Sequence, residues 1–371
     1  MTVAPSADSP FTASDSPALR AAVERDLARV TALLQGWAPG AAITLGGSFA
    51  WGEATAWMQG QRLLSMSDYD LFMSLPHPGH LARLGALRAR LGALRPHLYN
   101  PRLDLNLQLP GLASRGWQAS AAPLALAGDL GGLAPTSSPL VFCLHALHGA
   151  QVGLLACAPG GSRGWLEERY QLNRCALRAL RAAWNLEAPR PVHHLLQCRE
   201  PLRGPWGQGL DRPLRDLLEQ ALDENPGLGL AGAGPSAAED HGHRWALACR
   251  LVNMLHERWA RQASLAGPGV SRQLRRERAK GAARLAWGGL RQGRAPRVSS
   301  HAHGALLEAR RALLEARLLG GIDGAWLQRG LRGLHDLGLG PRRWPAQPRA
   351  AWEIAWRCSV LPNPGRIVSR P

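Results

Sequence analysis

From Arg102 to Leu109 the chain alternates without a break: Leu103, Leu105, Leu107 and Leu109 are separated by Asp104, Asn106 and Gln108. Side chains leave a β-strand on opposite faces in turn, so a period of two sends the leucines into a core and the polar set to the other face. A strand of this kind needs a sheet beside it and an apolar layer over its leucines. The residues upstream supply both.

Residues 17–37 repeat Leu, Val and Ala at intervals of three and four, with Gly40 just beyond, which predicts an amphipathic helix. Ala42 to Leu45 reads as a short strand running into Gly46-Gly47, and a helical turn is expected over Ser48 to Glu53. A small hairpin follows over Ala56 to Leu64 with Gly60 at its turn, then a strand from Asp68 to Leu75 closed by Pro76. Leucine spacing predicts a helix over 79–94. Gly111 to Ser138 is rich in Gly, Pro and Ser and reads as a boundary. Beyond it the period is 3.6, with helices expected at 139–157, 163–186, 211–223, 237–263, 270–287, 301–319, 324–337 and 343–357 and no strong strand among them. Most of the ten tryptophans here read as helix-packing or cap residues. At 371 residues the chain is long enough to divide into two cores. The expected fold class is α+β, with a disordered leader at 1–16, a small mixed-sheet domain at 17–135 and a mostly α-helical domain at 136–371.

Charge divides along the same line. The formal net charge is +17, of which residues 1–135 carry +1 and residues 136–371 carry +16. A basic domain favours polyanionic partners, although abundant Arg, Ala, Gly and Leu beside a single lysine also fit GC-rich codon usage. That lysine, Lys280, precedes Gly, so the chain has no G-x-x-x-x-G-K-[ST] phosphate loop and no kinase-type strand lysine. Six cysteines without a C-x-x-C pair argue against a zinc ribbon or a disulfide scaffold. His145/His148, His193-His194, His241/His243 and His301/His303 lack further ligands at a recognisable spacing and read as structural or exposed.

Two other motifs read as loops. Gly227 to Gly232 matches G-x-G-x-x-G but leaves no strand, and Gly234-Pro235 breaks any helix after it. Gly160 to Gly164 matches G-x-S-x-G but follows Cys157-Ala158-Pro159 where a buried strand is required. Arg272 to Arg297, with nine basic residues, reads as a solvated face or as a surface for a phosphate-bearing acceptor. The longest apolar stretches, such as Ala121 to Ala127, fall short of a bilayer span, and the N-terminus lacks a signal-peptide pattern. The expectation is a cytoplasmic protein without a membrane partner.

Chemistry concentrates in three stretches: Gly46-Gly47-Ser48 with Gly52-Glu53, Ser67-Asp68-Tyr69-Asp70-Leu71, and Leu103-Asp104-Leu105. Asp68 and Asp70, one residue apart on a strand, share a face. Two carboxylates side by side repel unless a cation lies between them, and hard oxygen ligands of this kind suit Mg²⁺. Asp104, on a neighbouring strand's polar face, brings a third, enough for two metal ions. Gly46, Gly47 and Ser48 form a turn that lets backbone N–H groups approach phosphate.

In this order and context the stretches resemble the nucleotidyltransferase superfamily of DNA polymerase beta, over roughly residues 41–110. The resemblance implies that Gly47 and Ser48 hold a nucleoside triphosphate such as ATP, that Asp68 and Asp70 bind two Mg²⁺ ions, and that Asp104 completes the catalytic metal site and helps deprotonate the acceptor. Two positions depart from the pattern. Ser48 and Asp68 are 20 positions apart, farther than in compact members; the hairpin around Gly60 fills the gap, and a similar hairpin marks bacterial members near polysaccharide synthesis. Trp51 stands where a basic residue is common, so one phosphate contact must come from elsewhere.

The expectation is an enzyme that moves a nucleoside monophosphate from a triphosphate to a hydroxyl-bearing small molecule, sugar or protein and releases pyrophosphate, the basic helical domain supplying the acceptor site. The alternatives are a protein that binds RNA or another polyanion and keeps a vestigial nucleotidyltransferase domain, and an enzyme acting on RNA 3′ ends. No separate RNA-binding motif is legible, so nucleic acid is the less favoured partner.

Overall fold

Helix α1 (Pro17–Trp37) begins where the sequence offers a cap. Ser16 is extended, its Oγ accepts the Leu19 N–H at 3.3 Å, and Pro17 occupies the first helical position. Leu19, Val23, Leu27, Val30, Leu34 and Trp37 recur at three- and four-residue steps and are buried along one stripe. The structure is a computed structural model and describes residues 11, 16–50, 52–59, 62–108, 124–128, 138–158, 165–187, 199–224, 241–275, 302–319, 324–341, 343–359 and 366–369.

Two compact units are present, the first formed by Met1–Ser137, Glu224–Gly232 and Gly365–Pro371, the second by Ser138–Asp223 and Ala233–Pro364. The first is built on a mixed sheet. Its strands in chain order are β1 (Ala42–Gly46), β4 (Tyr69–Ser74), β5 (Leu103–Gln108), β6 (Leu124–Ala127) and β7 (Arg366–Ser369), arranged β6-β1-β4-β5-β7. Only β4 and β5 run parallel; the other neighbours are antiparallel. A separate hairpin pairs β2 (Ala56–Gln59) with β3 (Arg62–Ser65). After β1 comes the one-turn helix α2 (Gly47–Ala50), and after β4 a 3₁₀ segment (Pro78–Arg83) leads into α3 (Leu84–Leu94).

Period two holds in the central strands. Ile43, Leu45, Tyr69, Leu71, Met73, Leu103 and Leu105 share a core with the α1 stripe and with Leu87 and Leu91 of α3. Asp70, Phe72, Asp104 and Asn106 therefore project from the opposite face. At roughly 1.5–3 kcal/mol for each fully buried aliphatic side chain, this layer is the main support of the sheet.

The fold class, α+β, is as expected, with three corrections in detail. Phe11, inside the segment read as a disordered leader, is buried in this core, and its carbonyl accepts the Ala54 N–H at 3.3 Å. A lone aromatic among small polar residues has an apolar surface worth burying even without a helix around it. Strand β6 lies inside the segment read as a boundary, and β7 lies in the stretch read as helical, yet pairs with β5.

The second unit is helical. Its elements are α4 (Pro139–Ala156), α5 (Trp165–Glu187), α6 (Arg199–Arg203), α7 (Pro205–Gln208), α8 (Arg212–Glu224), α9 (His241–Ser264), α10 (Ala302–Leu318), α11 (Gly324–Asp336) and α12 (Pro348–Ser359). Short helices α6 and α7 lie between the helices expected at 163–186 and 211–223, where none was expected. Helices α4 and α5 close tightly at Gly153, where a Cβ would lie 2.4 Å from Cys175 Sγ. Trp245, Trp259 and Trp352 are buried, and their indole N–H groups donate to the carbonyls of Leu154, Leu140 and Leu313. These tryptophans pack helices, as the sequence suggests. Helix α4 is, among the described residues, the one helix long and apolar enough to cross a membrane, but 61% of that window is buried inside the protein.

Candidate functional site

The parallel ladder between β4 and β5 sets Asp70 opposite Asp104, with Tyr69 opposite Leu103 and Leu71 opposite Leu105. Strand β4 begins at Tyr69, so Asp68 precedes the first ladder residue and does not lie within the strand. The ligand oxygens of Asp68, Asp70 and Asp104 nonetheless lie within 4.8 Å of one another. Asp104 is 2% exposed, and the other two are half-buried. Among the described residues no second group of three His, Cys, Asp or Glu side chains comes together in this way.

This group can hold a metal ion. It offers only hard oxygen donors, and three carboxylates this close repel one another strongly in a partly desolvated setting unless positive charge offsets them.

The turn after β1 meets the triad directly. Gly46 pairs with Asp70 across the antiparallel ladder. Gly47 follows with φ +66°, and a Cβ on it would lie 2.1 Å from Asp70 Oδ2. Only glycine adopts this conformation cheaply, and only glycine leaves room for the carboxylate. Phe49 then packs on Tyr69, ring centroids 4.7 Å apart, which anchors α2 on β4. Ser48, between these two fixed points, is half-buried, and its carbonyl accepts the Glu53 N–H at 2.8 Å. Gly46 has a different reason to lack a side chain: a Cβ there would meet the Phe72 ring at 2.7 Å. Thus Gly46, Gly47, Ser48, Asp68, Asp70 and Asp104, all expected from the sequence, converge on one end of the sheet. Trp51 lies outside the described residues.

Sequence reasoning missed a buried acid beneath this site. Asp26 is 0% exposed on α1, flanked by Val23 and Leu27. Its Oδ2 accepts the Tyr69 hydroxyl at 3.1 Å and the Asn100 N–H at 2.8 Å, and its Oδ1 accepts the Tyr99 N–H at 2.9 Å. Burial pushes its carboxyl above the usual range, against the lowering influence of those donors and of the Arg29 charge. The Tyr69 hydroxyl is pushed well above its ordinary value by burial and by the Asp26 charge. One signal was legible: Asp26 stands three residues after Val23 and four before Val30, on the stripe otherwise reserved for apolar side chains.

In the helical unit several arginines are internal. Arg244 donates to Asn173 Oδ1 at 2.9 Å, and Arg310, 0% exposed, donates to the Ser359 carbonyl and to His148. Burial lowers the Arg310 guanidinium to about 9. Part of the positive charge of this unit therefore serves packing. Of the histidine pairs, His241 contacts the Cys157 carbonyl at 3.0 Å, and His148 is engaged by Arg310. His193-His194, His301, both glycine decoys and residues 276–297 of the basic run fall outside the described residues.

No family model matches this chain, and neither a curated protein nor a solved structure is found to match it.

Proposed function

We propose that the protein is a metal-dependent nucleotidyltransferase that moves a nucleoside monophosphate from a nucleoside triphosphate to a hydroxyl-bearing acceptor. The observation that carries this reading is the contact of the Gly46-Gly47-Ser48 turn with a three-carboxylate group set on two parallel strands and the residue just before one of them. Its order along the chain is that of the DNA polymerase beta superfamily, and its donor set fits Mg²⁺. Asp68 and Asp70 would hold two such ions, with Asp104 completing the site nearer the acceptor.

Bound magnesium supplies positive charge for the triphosphate and makes an acceptor hydroxyl more acidic. The chain's own residues do the rest. Gly47 and Ser48 receive the phosphates, Ser48 Oγ donating to one of their oxygens. Asp104 takes the hydroxyl proton as the acceptor oxygen bonds to the α-phosphorus. The bond from that phosphorus to the bridging oxygen breaks in line, and pyrophosphate leaves with the electron pair. Positioning and electrostatics account for the acceleration.

Incubation with each α-labelled triphosphate, Mg²⁺ and a cell extract, comparing wild type with Asp70→Asn, tests this reading. Label transferred by wild type alone supports it and marks the acceptor. Equal transfer by both proteins, or none by either, rejects it.

A further inference from the structure

The three carboxylates come from two chain segments more than thirty positions apart, and side-chain hydrogen bonds add to the backbone ladder where both strands begin. The buried acid on α1 reaches both. Tyr69, whose hydroxyl donates to Asp26 at 3.1 Å, lies between Asp68 and Asp70. Alternation sends its ring to the core while Asp70 goes to the opposite face. On the other side, Asp26 accepts the N–H groups of Tyr99 and Asn100 at 2.9 and 2.8 Å, just before β5.

Asn100, 1% exposed, carries the connection onward. Its Nδ2 donates to the Ser67 carbonyl at 3.1 Å, one residue before Asp68, and its Oδ1 accepts the Arg102 N–H at 3.1 Å, two residues before Asp104. Arg102 Nη1 donates to the Met66 carbonyl at 3.3 Å, and its own carbonyl accepts the Tyr69 N–H at 2.9 Å. Segments 66–69 and 99–102 are thus bound to each other and to one carboxylate immediately before the register that sets Asp70 beside Asp104.

We infer that Asp26 and Asn100 are positioning residues for the metal-binding triad: they fix where Asp68, Asp70 and Asp104 stand relative to one another, and so set the affinity for the divalent cation. This rests on the metal-site reading above. An aliphatic residue in place of Asp26 would serve helix packing at least as well, because taking a carboxylate out of water is costly. What the acid adds is direction: three acceptor bonds to two separate segments, each charge-assisted.

The test uses the full-length protein and Mn²⁺ in place of Mg²⁺, with binding read from the electron paramagnetic resonance of free Mn²⁺ and no nucleotide present. Asp26→Asn puts an amide N–H against backbone donors, and Asn100→Ala cuts the link to Ser67. Each weakens Mn²⁺ binding about tenfold or more, the usual scale for residues that orient metal ligands, at a temperature where circular dichroism shows a folded protein. Val30→Ala, buried on the same helix but outside the network, lowers the unfolding midpoint and leaves Mn²⁺ affinity unchanged. Tyr69→Phe, which removes one hydrogen bond and keeps the ring, weakens binding by a smaller factor and stands in if Asp26→Asn does not fold. Wild-type affinity in Asn100→Ala and in whichever of Asp26→Asn and Tyr69→Phe folds would overturn the inference, as would an equal loss in Val30→Ala. Absence of Mn²⁺ binding by the wild type would instead remove the metal site itself.

Discussion

Gly47 and Asp70 occupy a shared space: the Asp70 carboxylate lies where a side chain on Gly47 would begin, Oδ2 being 2.1 Å from the Cβ position. The turn and the acidic strand therefore cannot be altered independently. Gly47→Ala places a Cβ at φ +66°, which costs about 1–2 kcal/mol in backbone conformation, and it also displaces Asp70. The expected outcome is a folded protein in which the proposed nucleotidyl transfer falls about a hundredfold or more, the scale of an ångström-sized misplacement. Thermal unfolding and label transfer measured on one preparation check both parts.

Ser48 is half-buried on the same turn. With Ser48 Oγ on a phosphate oxygen as proposed, Ser48→Ala would remove one donor to a charged group, an interaction of about 1.5–3 kcal/mol. KM for the triphosphate then rises roughly tenfold or more, while Mn²⁺ affinity and the unfolding midpoint stay at wild-type values. Steady-state kinetics over a range of triphosphate concentrations gives the first, and metal titration the second.

If the triad holds a divalent cation as proposed, that cation stabilises the folded chain by linkage. At one hundred times its dissociation constant a ligand that binds only the native state adds about 2.7 kcal/mol, so Mg²⁺ or Mn²⁺ raises the unfolding midpoint and a chelator lowers it again. In Asp104→Asn that response to metal is lost. The carboxylate is 2% exposed, and its neutral amide leaves two carboxylates in place of three.

In the helical unit, His256 is buried on α9, 3.6 Å from Glu308. Burial holds its pKa below the ordinary 6.5, outweighing the raising influence of Glu308 and Glu257; Arg311 adds to the lowering. The native state thus binds fewer protons than the unfolded chain just below that pH. Stability from this residue is complete above 6.5 and is lost as the pH falls toward the folded-state pKa. The slope for one proton does not exceed about 1.4 kcal/mol per pH unit. Denaturant unfolding between pH 5 and pH 8 shows this decline in wild type, and His256→Gln flattens it.

Elements with a strong period were legible before the structure: α1 from its apolar stripe, β5 from the Leu103 to Leu109 alternation, and the longer helices of the second unit from their leucine spacing, though not the short α6 and α7. Strand β6 was not. Leu124 is exposed, and Leu124 to Ala127 carry no polar alternation: only Leu126 and Ala127 pack partly against the core, and backbone pairing with Ile43 to Leu45 sets the strand in place. Strand β7 escaped for a similar reason, as four residues pairing with β5 across most of the chain leave no local signal. At the site, acid spacing and glycine turns were visible because they are local. The role of Asp26 was not, since its partners Tyr69, Tyr99 and Asn100 meet it only through the fold.

The pairing of β7 with β5 has a bearing on biosynthesis. Residues 366–369 border the strand that carries Asp104, so that strand keeps an open edge while the whole helical unit is being translated. The sheet cannot close along this edge until residues 366–369 have been made, after the helical unit. Cleavage just before Arg366 would reopen that edge in the finished protein, leaving Asp104 on an outermost strand.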